Sequence, residues 1–399
     1  MSKPVEPRDE LRPVTPPTSK SPAVGTRSRL LVIAVVALLG SAWVIHGPVL
    51  DEQRVPAAFP AIDRATIAQG VPDGSLFRQI DAALADGLPA RSPVLRTVLT
   101  PMVAAGLSPN AIVYRGPSGE PFYSAEFGIA CEAQAGIAGL DHQIRALRTK
   151  LKATGATLLY AIAPDKSQVD RAELGPLADK LLVCSDVNVT TFEKMAAAPD
   201  SPEFVDFDGL AKANKTKRQY MEGDTHWNFV GGSTFAHDLL IRLEHDGVIE
   251  KDTVDASNTG TAPAYVRVDD LYRLMGVPRT ERFPVTFRAP AGTSTTSETQ
   301  PIEGDWYVAE WKSTSTDAKL VPGRTLLIAD SFAGLDIPYL VHYFSDITYV
   351  PFAVLQNPGH LISTTGYDHV IIQELQRNVP NYIDQIDQAP WITGPHAAH

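Results

Sequence analysis

The sequence predicts an α/β fold with a mainly parallel sheet, preceded by one N-terminal transmembrane helix. Three observations predict it. Through residues 157–375, apolar strand-like runs alternate with stretches of helical spacing, and that alternation indicates a layered α/β architecture. One run, Thr325-Leu326-Leu327-Ile328-Ala329, is nearly continuous in apolar residues, as a strand buried on both faces requires. A separate apolar run from Leu30 to Ile45 is closed by His46-Gly47-Pro48. Extended to Leu50, it comes near the roughly 20 residues needed to span a bilayer.

The elements follow in order. Residues 1–29, rich in Pro, Ser, Thr and charge, read as a disordered tail. Arg27 and Arg29, with Lys20 and Arg12 behind them, keep that tail in the cytoplasm. Residues 30–50 are the membrane anchor; a cleaved signal peptide is the rival reading. Residues 51–75 form a linker, and the remainder faces outward, in the periplasm or outside the cell.

A single large domain spans 76–385, with a C-terminal tail at 386–399. Phe77 to Leu99 reads mostly as helix, broken at Gly87-Leu88-Pro89. Ala111 to Arg115 is a strand turning through Gly116-Pro117-Ser118-Gly119. Ile144, Leu147 and Leu151 recur at helical spacing. Strands follow at Thr157 to Pro164 and briefly at Phe204 to Phe207, then a helix from Phe229 to Leu243. After the strand at 325–331 the sequence predicts a helix to about Tyr343, then strands at Ile347–Phe352 and His369–Leu375. The Thr/Ser-rich stretch 278–320 reads as a β-rich insertion.

Composition narrows the function classes. The apolar share of 44% supports a real core, and a net charge of -11 argues against a nucleic-acid partner. The two cysteines, Cys131 and Cys184, either pair outside the cytoplasm or remain separate buried thiols. The H-E-x-x-H, P-loop, G-x-G-x-x-G, G-x-S-x-G and C-x-x-C patterns are all absent. No metal site and no cofactor is therefore expected.

Two segments carry the chemistry. Asp224-Thr225-His226-Trp227-Asn228 offers a carboxylate and an imidazole two residues apart, a spacing that points both to one side of an extended chain. Ala329-Asp330-Ser331-Phe332 places a serine where an apolar strand ends. In open α/β sheets, functional groups gather beyond the carboxyl ends of strands. A serine hydroxyl becomes a nucleophile once a histidine takes its proton and a carboxylate fixes that imidazole. The expected roles are Ser331 as nucleophile, His226 as general base then acid, and Asp224 as its orienter. The following helix N-terminus would leave N–H groups free for an oxyanion. A plainer reading makes Ser331 an N-cap and the Asp-Thr-His-Trp segment a surface turn. Trp227 either packs beneath the loop or stacks a sugar.

These residues resemble the alginate O-acetyltransferase family, the AlgJ/AlgX type with an SGNH hydrolase-like domain. Asp224-Thr225-His226-Trp227, followed by Gly231-Gly232, looks like that family's D-x-H-W segment, and Ala329-Asp330-Ser331-Phe332 resembles its G-D-S-F. Weaker echoes include Asp86 to Arg91, Ala111 to Phe127, Pro164-Asp165-Lys166 and Asp269-Asp270-Leu271 to Pro278. Together they run from about residue 77 to 377. The sequence departs at Ala329, which stands where the family has glycine. It also shifts the family's terminal glutamate–arginine pair to Gln373-Glu374-Leu375-Gln376-Arg377.

The resemblance implies a three-layer SGNH-like domain that moves acetyl groups onto hydroxyls of an exported or cell-surface polysaccharide. An integral membrane acyltransferase would supply the acetyl donor. The catalytic set carried over is Asp224, His226 and Ser331. Asn357, in Gln-Asn-Pro-Gly, is a candidate oxyanion donor or a plain turn residue. Arg91 is a candidate for binding an anionic sugar or a structural ion pair. An esterase or deacetylase using the same triad, and a non-catalytic assembly protein, remain alternatives.

Overall fold

The computed structural model describes residues 93–132, 134–205, 218–301, 307–352 and 366–379. The expected tail, anchor and linker lie outside the described residues, as do Arg91, Asn357 and the segment after residue 379. No helix among the described residues is long and apolar enough to cross a membrane.

Helix α1 (Pro93–Ala104) leads into a small hairpin, β1 (Val113–Arg115) and β2 (Pro121–Tyr123), then α2 (Ala125–Glu132) and α3 (Gln134–Ala153). Strand β3 (Thr157–Ala163) is followed by short turns and by α4 (Val183–Ala197) and α5 (Phe229–His245). A second hairpin, β4 (Asn258–Val268) and β5 (Thr280–Ala289), brackets the short α6 (Asp270–Leu274). Strands β6 (Thr293–Pro301), β7 (Tyr307–Ser315), β8 (Val321–Ala329), β9 (Phe344–Pro351) and β10 (His369–Leu375) complete the order.

The main sheet runs β3-β10-β8-β9-β7-β6. The first four of those strands are parallel, whereas β7 and β6 join antiparallel at one edge. With the β1–β2 and β4–β5 hairpins also antiparallel, the expected mainly parallel sheet is corrected to a mixed one. The cause lies in the connections. A parallel crossover needs a dozen or more residues, and only about five separate β6 from β7, which therefore pair antiparallel.

The parallel strands alternate cleanly between two cores. Leu158, Tyr160, Ile162, Leu326, Ile328, Val370 and Ile372 face one side, covered by Ile137, Leu140, Ile144, Leu147 and Leu151 of α3. Leu159, Ala161, Leu327, Ala329 and Ile371 face the other, beneath Phe235, Leu239, Leu240 and Leu243 of α5. Both faces are thereby sheathed by helices, giving three layers. Cys131 of α2 and Cys184 of α4 form a disulfide, resolving the two readings in favour of pairing.

The single helix expected after Ser331 is instead three pieces: a 3₁₀ turn at Ser331–Leu335, an α turn at Ile337–Leu340 and a 3₁₀ turn at Val341–Tyr343. Pro338 explains the break, since it sits in the first turn of the middle piece, where its missing N–H costs nothing.

Candidate active site

Two loops converge above the carboxyl ends of the parallel strands. The first, residues 219–228, folds back on itself through bonds from Asn228 N to Gln219 O (2.7 Å) and Met221 N to His226 O (3.1 Å). Asn228 then caps α5, its side chain accepting from the N–H groups of Val230 and Gly231. The second is the turn at Ser331, capped by Asp330, whose side chain accepts from Phe332 N–H at 3.0 Å.

Packing brings the loops together. Trp227 is fully buried and donates from Nε1 to Phe332 O at 3.0 Å. It presents no face on which a sugar could stack. Gly232 at the start of α5 lets the Ser331 turn approach, because a Cβ there would collide with the carbonyl of Leu335.

The three predicted side chains then line up. Ser331 Oγ lies 2.8 Å from His226 Nε2, and His226 Nδ1 lies 2.7 Å from Asp224 Oδ1. Asp224 is fully buried and His226 nearly so, while Ser331 is exposed. This is the arrangement a relay needs: an open nucleophile above a shielded base.

Every lone pair of Asp224 is engaged. Oδ1 also accepts from His226 N–H at 2.9 Å, and Oδ2 accepts from Arg267 Nε at 2.8 Å and Asp270 N–H at 2.9 Å. Burial opposes ionisation of this carboxyl, yet the hydrogen bond and charge of His226 and the charge of Arg267 hold it well below the usual range. Asp224 is thus a fixed anion. Because it can only accept, it draws the imidazole proton to Nδ1 and leaves Nε2 to accept from the serine. For His226, burial disfavours the imidazolium; bonds to Asp224 and Asp270 outweigh it and raise the group above its ordinary value.

A second ring of residues holds the acid loop. Asp270 accepts from Thr225 N–H at 2.8 Å and from the Thr225 hydroxyl. Lys166 is fully buried and donates to the carbonyls of Met221 (2.9 Å), Glu222 (2.7 Å) and Asp224 (3.3 Å). It also pairs with Glu120 at 2.8 Å. The Pro-Asp-Lys turn is therefore a clamp on the loop that carries the carboxylate. Beneath the serine, Arg377 pairs with Asp165 at 2.6 Å and approaches Glu126 at 3.6 Å, and Leu375 N–H bonds Asp330 Oδ2 at 2.7 Å.

One expectation needs correction, and one departure from the family proves harmless. The N–H groups of Phe332 and Ala333 do not wait for an oxyanion: they donate to Asp330, the first to its side chain and the second to its carbonyl at 3.2 Å. Ala329 in place of glycine carries no backbone strain. It is an ordinary buried residue at the end of β8, and Asp252 is the sole non-glycine residue at positive φ among those described.

Asp224, His226 and Asp270 hold ligand atoms within 4.8 Å of one another. The guanidinium of Arg267, on Asp224 Oδ2 at 2.8 Å, already brings to this group the positive charge that a metal would bring. His237 is partly exposed on α5 beside Asp238 and Asp255.

Sequence reasoning missed Arg267. Its signal was absent because it sits on β4, 41 residues from His226, and only the fold brings them together.

Residues 113–305 match the family described as SGNH hydrolase-like domain, acetyltransferase AlgX. That span includes Asp224, His226 and Arg267 and ends before Ser331. No curated protein sequence matches the chain. Among solved structures, the chain is similar to the O-acetyltransferase domain of Pseudomonas putida AlgJ, at 17% identity over 69% of this chain and 99% of that one, with a TM-score of 0.41. It is similar to Bacillus cereus PatB1 with a sulfonyl adduct, at 15% identity over 61% of this chain and 88% of that one, with a TM-score of 0.45. It is similar to Pseudomonas aeruginosa AlgX, at 12% identity over 69% of this chain and 66% of that one, with a TM-score of 0.44. Residues 113–305, just under half of the chain, are thus similar to the SGNH hydrolase-like domain of AlgX-type acetyltransferases.

Proposed function

We propose that this chain is a serine-dependent O-acetyltransferase that moves acetyl groups onto hydroxyls of an exported or cell-surface polysaccharide. The observation that carries the reading is the continuous line from exposed Ser331 Oγ through His226 to buried Asp224, at 2.8 and 2.7 Å. The family match supports acetyl as the group transferred.

The steps follow from the geometry. Ser331 Oγ attacks the acetyl carbonyl carbon as its proton passes to His226 Nε2. The donor's leaving oxygen departs with that proton, leaving acetyl-Ser331. A sugar hydroxyl then enters, gives its proton to the neutral imidazole and attacks the acetyl carbon. Collapse releases the acetylated sugar, and Ser331 Oγ regains its proton. Asp224 keeps the ring in one tautomer throughout and stabilises the transient imidazolium.

The location is part of the same proposal. The apolar run 30–50 would anchor the chain with its N-terminus in the cytoplasm, and an integral membrane acyltransferase would supply the acetyl group. The Cys131–Cys184 disulfide supports an outward-facing domain, because such bonds persist in oxidising compartments.

Intact mass after incubation with p-nitrophenyl acetate tests the nucleophile. We expect one acetyl adduct on the native chain, none on Ser331→Ala, and a rate loss of roughly 10⁴-fold or more in that variant. Full ester turnover by folded Ser331→Ala would overturn the assignment. Comparing free acetate with acetylated oligosaccharide then separates transfer from hydrolysis.

A further inference from the structure

Arg267 reaches the relay from outside the two segments that define it. Its Nε lies 2.8 Å from Asp224 Oδ2, and its Nη2 lies 2.9 Å from His226 Nδ1 and 3.5 Å from Nε2. Nδ1 already faces Asp224 with its proton, so the Nη2 contact is not an in-plane hydrogen bond. A nitrogen this near both ring nitrogens must lie over the ring's face, since in the plane it would collide with the ring carbons. Phe332 stacks on the imidazole with centroids 4.6 Å apart and planes 27° apart. Two groups at these separations cannot share one face, so the ring is held between an arginine and a phenylalanine.

Building on the acetyl-transfer reading, we propose that Arg267 is a positioning residue of the relay. It fixes the acid through Oδ2 and sets a positive charge against the base, offsetting part of the pull of the neighbouring carboxylates on the imidazole. The hairpin β4–β5 delivers it. Tyr265 and Arg267 point inward on alternate positions of β4, with Val266 and Val268 turned to solvent. Tyr265 Oη meets Arg267 Nη1 at 3.3 Å and limits where the fork can go.

The charges around His226 set the direction of the effect. Asp224 comes from its own loop, Asp270 from α6 at 3.5 Å, and Arg267 from β4. Ser331 and Asp330 come from the nucleophile turn, and Arg377 lies behind Phe332, 6.0 Å from that ring. Burial and Arg267 oppose the imidazolium; Asp224 and Asp270 favour it. Removing the guanidinium leaves the carboxylates without a counterweight, so protonation of His226 becomes easier.

The test uses the full chain with Arg267→Met and Arg267→Lys. NMR titration of His226, assigned by loss of its signal in His226→Gln, is read beside the pH profile of kcat/KM for p-nitrophenyl acetate. In Arg267→Met we expect both the titration and the acid limb to move up by about one pH unit. We also expect kcat/KM above that limb to fall roughly 10- to 100-fold, because the acid is no longer held in line. Arg267→Lys keeps the charge but loses the planar fork; it should restore the titration while recovering the rate only in part.

An unmoved or downward titration in folded Arg267→Met overturns the inference, as does a native rate in Arg267→Lys. The second result decides the matter if the Met variant does not fold. Failure of the acetyl-transfer reading looks different: the native chain would then show no adduct at Ser331, while the titration would still report on Arg267.

Discussion

The parallel strands and the antiparallel additions make opposite contributions to this molecule. Strand β8 is buried along its last five residues and β10 along its last six, sealed by helices on both faces. Strand β6 is exposed from Thr296 to Pro301 and β5 is largely open. Yet the open hairpin β4–β5 supplies Arg267 to the relay, while the buried β8 supplies only the position of Ser331. The lesson is a division of labour. The sealed strands fix where the reacting groups stand, and the solvent-facing hairpin adjusts the charge they feel.

Stability measurements can break or sharpen this contrast. The largest loss is expected in the Lys166→Met variant, at the end of β3. Among the described residues Glu120 would keep Arg218 alone, and three carbonyls of the acid loop would lose their donor, a cost of about 3–5 kcal/mol. Denaturant unfolding checks it; native stability would show that the clamp contributes little. Leu327→Ala on β8 removes a fully buried side chain and should cost about 2–5 kcal/mol.

A pH effect comes next. Burial pushes Asp165 up to about 7, Arg377 pulls against it, and Glu126 and Asp330 add to the rise. The folded protein then holds a proton that the unfolded chain has released. This contribution to stability is present below the ordinary carboxylate value and is lost as pH rises through about 7. Asp165→Asn should therefore flatten the fall in Tm over that window, and an equally steep fall would contradict the assignment. The smallest change is Ser297→Ala on β6, an exposed site, expected within about 0.5 kcal/mol of the native chain by the same unfolding assay.

What the sequence disclosed follows the same division. Strands sealed on both faces are written as apolar runs, so 157–163, 347–351 and 369–375 were legible, as was the strand end that exposes Ser331. The acid and base were legible because two positions of extended chain determine their common side. Strand direction at the sheet edge was not, since Thr/Ser-rich text has no parallel or antiparallel signature. Nor was the broken helix after Ser331: its apolar residues suit one helix, and the interruption at Pro338 depends on how the turn packs. Arg267 was invisible for a different reason. An arginine on an amphipathic strand is usually a solvated side chain, and only its tertiary approach to Asp224 distinguishes it.

The gripped imidazole has a kinetic consequence. A ring pinned from above and below has no second resting place, so it cannot swing from an entering donor to an entering acceptor. In the proposed acetyl transfer, both halves of the exchange would then use one doorway beside Nε2, each visitor leaving before the next arrives. Donor and acceptor should exclude one another there, and excess of either should slow turnover as though it were an inhibitor.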